Sequence, residues 1–406
     1  MALVASAITV WFGAMTVLLR VVFWVAVVGS VTSSIYCGMV VVAAARFGLR
    51  RRREQSAVAD FLPAVSMLKP LHGTEAGMER NLVSFFEQVY PGEWELLFCA
   101  RQETDEGLKL ARVVGARYPR VSARYVTCGE PTPKFHNAKV YSLAAMDAVA
   151  KNDLYVTSDA DVRVEKDYLL RMVQTLKDPH CGLASCVYLG TAHEGGGFSS
   201  QLDAVGKSVE MSSGVLVADM LEGTKFALGA TMVLPKKSFQ DVGGFEELGQ
   251  FYADDFVIGN RLASQGTGVR MATYVIRLMV QDSPFWLSFR NQLRWMQSTR
   301  RSRPWGHLGS GLTFAMPFGL LGLVWGLASG HAALGIVWLA AMVLNRWLQA
   351  GAILGVLGDP DVLYNALIYP LRDLLGWVLW VGSYGGENFY YRGKIYKLKD
   401  GGRVEE

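Results

Sequence analysis

The stretch "YVTSDADVRV", residues 155–164, decides how this chain is read: an apolar run ends there in two carboxylates one residue apart, Asp159 and Asp161. Residues i and i+2 of an extended segment point to the same side, so at a strand end both acids face one ion or its water shell. Two hard oxygen ligands suit Mg2+ or Mn2+, which complete their shells with water and phosphate oxygens, so the implied ligand is a diphosphate. A D-x-D pair by itself is as readily a solvated turn. The apolar strand running straight into it favours the ligand site.

Working outward, the surrounding segments alternate. "AVSMLKPL" and "WELLFCA" read as strands, "AGMERNLVSFFEQVY" and "EGLKLARVVGARYP" as helices, "VSARYVTC" as a strand, "NAKVYSLAAMDAVA" as a helix and "DLYVTSD" as a strand again. This alternation predicts an α/β domain with a mostly parallel sheet and helices on both faces. Ligands of such sheets bind beyond the carboxyl ends of the strands, where Asp159 and Asp161 fall. Residues 170–250 are less regular, and "HEGGGF" reads as a flexible loop. "DDFVIGNRLASQG" predicts a helix that starts at Asp254 or Asp255 and is capped by Gly266. "WLSFRNQLRWMQSTRRSRP" is amphipathic, as a helix lying at a membrane surface would be.

The two ends of the chain differ from this middle. Of 406 residues 51% are hydrophobic, and the mean hydropathy is +0.21, too apolar for an ordinary soluble protein. Val21 to Ala45 carries no charge and ends at Arg46, Arg50, Arg51, Arg52 and Arg53. A basic cluster behind a long apolar core predicts a retained anchor with the arginines on the cytoplasmic side, and residues 1–19 extend or precede the same span. Segments 308–329, 332–357 and 363–385 are each long enough to cross or nearly cross. Three full crossings would carry the basic tail, with Arg392, Lys394, Lys397 and Lys399, to the far side, against the charge bias. Either one segment is interfacial or re-entrant, the last, which holds Pro370, Arg372 and Asp373 near its start, being the foremost candidate, or the count is not three, or those charges flank a normal span and the tail is external.

The expected divisions are an N-terminal transmembrane anchor (1–49), a cytoplasmic catalytic domain (50–282), an amphipathic interfacial segment (283–305), a C-terminal membrane region (306–388) and a basic tail (389–406). The net charge of +4 is small and its clusters flank the membrane segments, so nucleic acid is not expected as a partner. The five cysteines, Cys37, Cys99, Cys128, Cys181 and Cys186, show neither metal spacing nor an even disulfide framework.

"AVSMLKPLHGTE", "NLVSFFEQVYP", "ELLFCARQETDEG", "TSDADVRV", "ALGATMVL", "VGGFEELGQFYADDFVIGNRL" and "RNQLRW" stand in an order and spacing that resembles the ceramide glucosyltransferase family, over about residues 64 to 305. "FALGATMVL", "ADDFVIGNRL" and "RWMQSTRRSRPWG" look more like its bacterial branch, which glycosylates hopanoid lipids. The resemblance implies a GT-A fold, a UDP-sugar donor, a divalent metal, inversion and a membrane-lipid acceptor, in a multi-pass protein of the cell inner membrane.

It also assigns residues. Lys69, Pro70 and Glu75 would hold the nucleotide. Asp105, with Glu103 beside it, would accept the uracil imide N–H. Asp159 and Asp161 match the metal-binding motif, and Asp255, after Asp254, matches the catalytic base. Arg294 would neutralise the departing diphosphate and Trp295 would pack beside the acceptor. Asn291 departs from the family pattern, which has glutamine or arginine there; Gln292 and Arg290 lie in the wrong helical phase to replace it. His193 matches a position near the site, whereas His72 and His136 have weaker claims. The competing readings are a ceramide acceptor, a processive polysaccharide synthase and a non-catalytic nucleotide-binding membrane protein.

Overall fold

The computed structural model describes residues 2–130, 135–386, 388–391, 394–398 and 403–405. Its centre is an eight-stranded sheet in the order β3-β2-β1-β4-β7-β6-β8-β5. Strands β1 (Val65–Pro70), β2 (Trp94–Ala100), β3 (Ala123–Thr127) and β4 (Leu154–Ser158) are mutually parallel. Beyond β4, strand β7 (Thr231–Pro235) runs antiparallel to both β4 and β6 (Cys181–Ala192), β8 (Gly268–Val280) runs parallel to β6, and β5 (Val162–Arg163) runs antiparallel to β8. The expected α/β domain is present, and its second half is more mixed than alternation alone suggests.

The first helix, α1 (Ala2–Ser56), precedes the domain. Helices α2 (Met78–Phe86), α3 (Glu106–Gly115) and α4 (Ala138–Asp147) follow β1, β2 and β3, each burying one apolar face against the sheet. Asp105 and Asn137 cap α3 and α4, and each side chain accepts two backbone N–H groups of the first turn. After α5 (Tyr168–Gln174), the region read as irregular contains a continuous helical rod: α6 (Phe198–Gly206), a π-helical turn over Lys207–Met211 and α7 (Ser212–Glu222). Gly195–Gly197 lead into this rod; many small and polar residues obscured its apolar period. Short helices α8 (Lys236–Asp241) and α9 (Gly244–Leu248) then lead to α10 (Asp254–Ser264), which ends before Gly266 at φ 83°.

Helix α1 has 55 residues, about 80 Å at 1.5 Å per residue. The amphipathic segment forms α11 (Phe285–Ser302), followed by α12 (Pro304–Ser310), α13 (Met316–Ala328), α14 (Ala332–Leu357) and α15 (Val362–Gly382). Contacts along α1 fix the directions of its neighbours. The Phe23 ring packs against Trp325 while Thr32 donates to Leu312 O, so α13 runs antiparallel to α1. Ser30 meets Trp338, Ser34 meets Asn345 and Arg51 donates to Val356 O, so α14 runs parallel to it.

Among the described residues α1 and α14 are long and apolar enough to cross a membrane, whereas α13 has 13 residues, about 20 Å. Helix α15 buries Arg372 and Asp373 against the rest of the chain and exposes Leu363, Leu367, Leu371 and Val378 on its other side. At the chain's end Arg403 bridges to Phe251 and pairs with Glu247 at 2.9 Å, so this part of the tail lies against the α/β domain. Arg392, Lys399 and the side chains of Lys394 and Lys397 fall outside the described residues.

Candidate functional site

The carboxyl ends of β1, β2, β3 and β4 open onto one edge, and the loops that follow them carry most of the residues singled out above. Lys69 is fully buried at the end of β1. Its Nζ donates to Asp159 O at 2.7 Å and lies 3.6 Å from the centre of the Phe85 ring. Burial pulls its ammonium down to about 7, against the opposing attraction of Asp159 and Asp161. Lys69 therefore fixes the backbone of the acidic motif, and Pro70 beside it ends β1, opposite Cys99 of β2.

Asp105 ties the loop after β1 to the start of α3. Its Oδ1 accepts Gly107 N and Leu108 N while Oδ2 accepts Gly73 N at 2.9 Å. Three backbone amides occupy its carboxylate, so its first duty in this structure is to shape the nucleotide-side loop. Glu103 points outward and pairs with Arg112 at 2.6 Å. Glu75 stands closer to the acidic motif: it and Asp161 repel each other, and Lys207 attracts both.

Asp159 and Asp161 face different company. Asp159 Oδ1 pairs with Lys139 Nζ at 2.7 Å. Asp161 Oδ1 is buried and finds no hydrogen-bond partner. Burial, then the charges of Asp159 and Glu75, push the Asp161 carboxyl up to about 7. An orphaned anionic oxygen beside a second carboxylate is the donor chemistry of a divalent cation site. The described residues hold no group of three metal-binding side chains, so water and ligand oxygens would have to complete any such shell.

Lys139 also donates to Gly229 O at 2.6 Å, which places it between the Asp159 pair and the Asp254–Asp255 pair. Burial alone would lower its ammonium, but Asp159 and Asp254 outweigh that and raise it. Asp255 Oδ2 accepts Gly229 N at 2.5 Å and Oδ1 accepts its neighbour Phe256 N at 2.8 Å. Burial raises the Asp255 carboxyl, with Lys139 and these two amides opposing. Asp254 accepts Asn137 Nδ2 at 2.9 Å, and burial lifts it to about 6. Of the two acids, Asp254 braces α10 against α4.

Helix α11 supplies the other wall. Arg294 Cζ lies 5.5 Å from the Tyr252 ring, three residues before Asp255. Trp295, 41% exposed, receives Lys207 Nζ over its ring at 4.8 Å. Asn291 is exposed. Gln292 is buried and faces away from the acids, accepting from Arg372 at 2.8 Å, so it does not replace Asn291. His193 sits behind Gly77 beside Arg163. Sequence reading passed over Lys139 and Lys207. The cap residue Asn137 pointed to the start of α4, two residues before Lys139, but nothing in the residue order shows that Lys207 reaches Glu75.

The family model described as "Glycosyl transferase family 21" matches residues 21–404. "Ceramide glucosyltransferase 1" of Caenorhabditis elegans is 29% identical over 237 residues, 58% of this chain and 50% of that protein. "Ceramide glucosyltransferase" of Komagataella phaffii is 32% identical over 127 residues, 31% of this chain and 25% of that protein. The chain thus spans half or less of the length of these curated relatives. Among solved structures, the mannosyltransferase PcManGT from Pyrobaculum calidifontis, in complex with GDP-Man and Mn2+, superposes with a TM-score of 0.46 at 18% identity, covering 87% of this chain and 98% of that one. Glucosyl-3-phosphoglycerate synthase from Mycobacterium tuberculosis, in complex with Mn2+, UDP and phosphoglyceric acid, gives 0.35 at 12%, covering 59% and 79%.

Proposed function

The chain belongs to glycosyl transferase family 21, and from that premise we propose that it moves a hexose or N-acetylhexosamine from a UDP-sugar to a membrane-lipid hydroxyl with inversion. The observation that carries this reading is the meeting of two sets of groups at one sheet edge: the acids Asp159, Asp161 and Asp255, and Arg294 and Trp295 from an amphipathic helix. A soluble anionic donor and an insoluble acceptor require such a junction.

In the proposed reaction Asp255 takes the proton of the acceptor hydroxyl as its oxygen bonds to the anomeric carbon. The bond from that carbon to the diphosphate breaks, and UDP leaves with the electron pair. The amides of Gly229 and Phe256 hold the Asp255 carboxylate in place, and the N-terminus of α10 favours its charged form. Arg294 and Lys207 set positive charge where the diphosphate departs. Asp159 and Asp161 would hold Mg2+ or Mn2+, and the bound ion would supply neutralisation of the diphosphate. Lys69 and Pro70, with the loop shaped by Asp105 and Glu75, form the nucleotide side.

The acceptor class we propose is hopanoid, on the motif resemblance, in an inner-membrane, multi-pass protein whose catalytic domain is cytoplasmic. The test is mass spectrometry of lipids after incubation of the membrane-bound chain with UDP-sugars, with hopanoid and ceramide supplied together. One sugar on the hopanoid, absent with Asp255→Asn and after chelation, supports the whole reading. Sugar on ceramide alone overturns the acceptor, and many sugars on one product would make it a processive synthase.

A further inference from the structure

A second site lies on the membrane side of the sheet, where the ends of α1 and α14 meet β5 and β8. A cavity of about 130 Å³ there is lined by Arg51 of α1, Arg163 of β5, Arg277 of β8, Glu165, Tyr274 and, at the end of α14, Gly358, among others. All three arginines are half-buried. Arg163 and Arg277 stand directly opposite each other on the antiparallel β5–β8 pair. Like charges in that relation destabilise a sheet unless something lies between them.

The surrounding groups compensate this charge only in part, Glu194 attracting Arg163 and Asp167 attracting Arg51 from beyond ion-pair distance. Arg163 Nε donates to the neutral Asn81 at 3.0 Å and Arg51 Nη1 to Val356 O at 2.9 Å. Among the described residues Arg51, Arg163 and Arg277 have no ion pair; nearby acids are committed elsewhere, Glu194 to Arg80 and Asp167 to Arg171. Glu165 is the single acid in the lining, against three cations. Partly desolvated cations without counter-ions are costly, and guanidinium forks match phosphate oxygens in pairs.

We propose that this cavity binds a phosphate group, supplied by an anionic phospholipid headgroup or by free phosphate. Its position at the membrane-proximal ends of α1 and α14 suits the headgroup, since basic pockets between membrane helices bind such lipids. An anion there would hold three separate elements together: the anchor helix, the edge strand that continues the acidic motif, and β8.

The test uses the detergent-purified full chain with phosphatidylglycerol, phosphatidylcholine or inorganic phosphate, read by native mass spectrometry and by thermal melting. Phosphatidylglycerol should stay bound and raise the melting temperature, with Arg277→Gln and Arg51→Gln each weakening binding about tenfold or more, as expected for a lost charge-assisted hydrogen bond. The exposed Arg52→Gln is the control and should bind as the wild type does. Retention of phosphatidylglycerol that millimolar phosphate does not displace assigns the site to the lipid. A melting shift from inorganic phosphate, with no preference between the two lipids, assigns it to free phosphate. Without any anion, Arg277→Gln should melt no lower than the wild type, because it relieves repulsion. Unchanged anion binding in both pocket variants overturns the proposal, as does a wild type indifferent to all three probes. None of these readouts requires sugar transfer, so the outcome is independent of the proposed reaction.

Discussion

At the residue scale, the reach of Asp255 depends on a glycine. A Cβ added to Gly229 would stand 2.7 Å from Asp255 Oδ2, where the carboxylate now accepts the Gly229 amide. Gly229→Ala should lower kcat about tenfold or more while UDP binding, followed by calorimetry, stays within about twofold. Asp255→Asn keeps the size and removes the base, but turns an NH2 toward one of the two backbone N–H groups that the carboxylate accepts, so kcat should fall about 10²- to 10⁴-fold in a chain that folds and melts somewhat lower. Lys139 has a different role, compensating acids on two elements at once. Lys139→Met should cost about 2 kcal/mol in thermal unfolding, because Asp159 and Asp254 would face each other with no cation between them.

At the element scale, the π turn within the α6–α7 rod directs two charged side chains to different neighbours. Lys207 pairs with Asp203 at 3.2 Å and overlies Trp295, while Glu210 pairs with Arg372 of α15 at 2.7 Å. Such turns recur at functional sites because they break the regular helical phase. Burial pushes the Glu210 carboxyl up from 4.5 to about 7, and Arg372 only partly offsets it. The folded chain therefore holds the Glu210 proton where the unfolded chain has lost it. Stability should fall as pH rises from about 4.5 through about 7 and level off above, by at most about 3 kcal/mol. Melting curves across this range should show that slope in the wild type and a shallower one in Glu210→Gln.

At the scale of the whole molecule, one buried pair joins α14 to α15. Arg346 of α14 and Asp373 of α15 are both 1% exposed and 3.0 Å apart, and Asp373 also accepts the Ala315 and Met316 amides at the start of α13. Asp373→Asn should destabilise the chain by about 3–5 kcal/mol, because it strands a buried guanidinium. Replacing both partners with leucine should recover part of that loss, which paired unfolding measurements on the single and double variants would show. Arg403 against Glu247 places the described end of the tail beside the α/β domain. Helix α15 is a strut between the α/β domain and helices α13 and α14, with Arg372 reaching both Gln292 of α11 and Glu210.

What the sequence determined by itself is local or periodic. The alternation of strand and helix from Val65 to Ser158 follows from spacing two against spacing three and four, and the break at Asp159–Asp161 from the sudden end of an apolar run. A helix start at Asp254 or Asp255 follows from acids at a first turn, although the structure caps α10 with Ala253 and no side chain, and the amphipathic α11 follows from its facial pattern. Tertiary structure decided the rest, because it depends on distance between residues remote in the chain. Lys139 meets Asp159 and Asp255 only when β4 and β7 pair, Lys207 reaches Trp295 only when α11 crosses the π turn, and Arg163 faces Arg277 only in the β5–β8 register. Even α15, apolar enough along one face to suggest a crossing, is held at the domain by charges whose partners are 80 and 162 positions away in the chain. Composition records that such charges exist. Folding alone, by taking them out of water, settles which of them must meet.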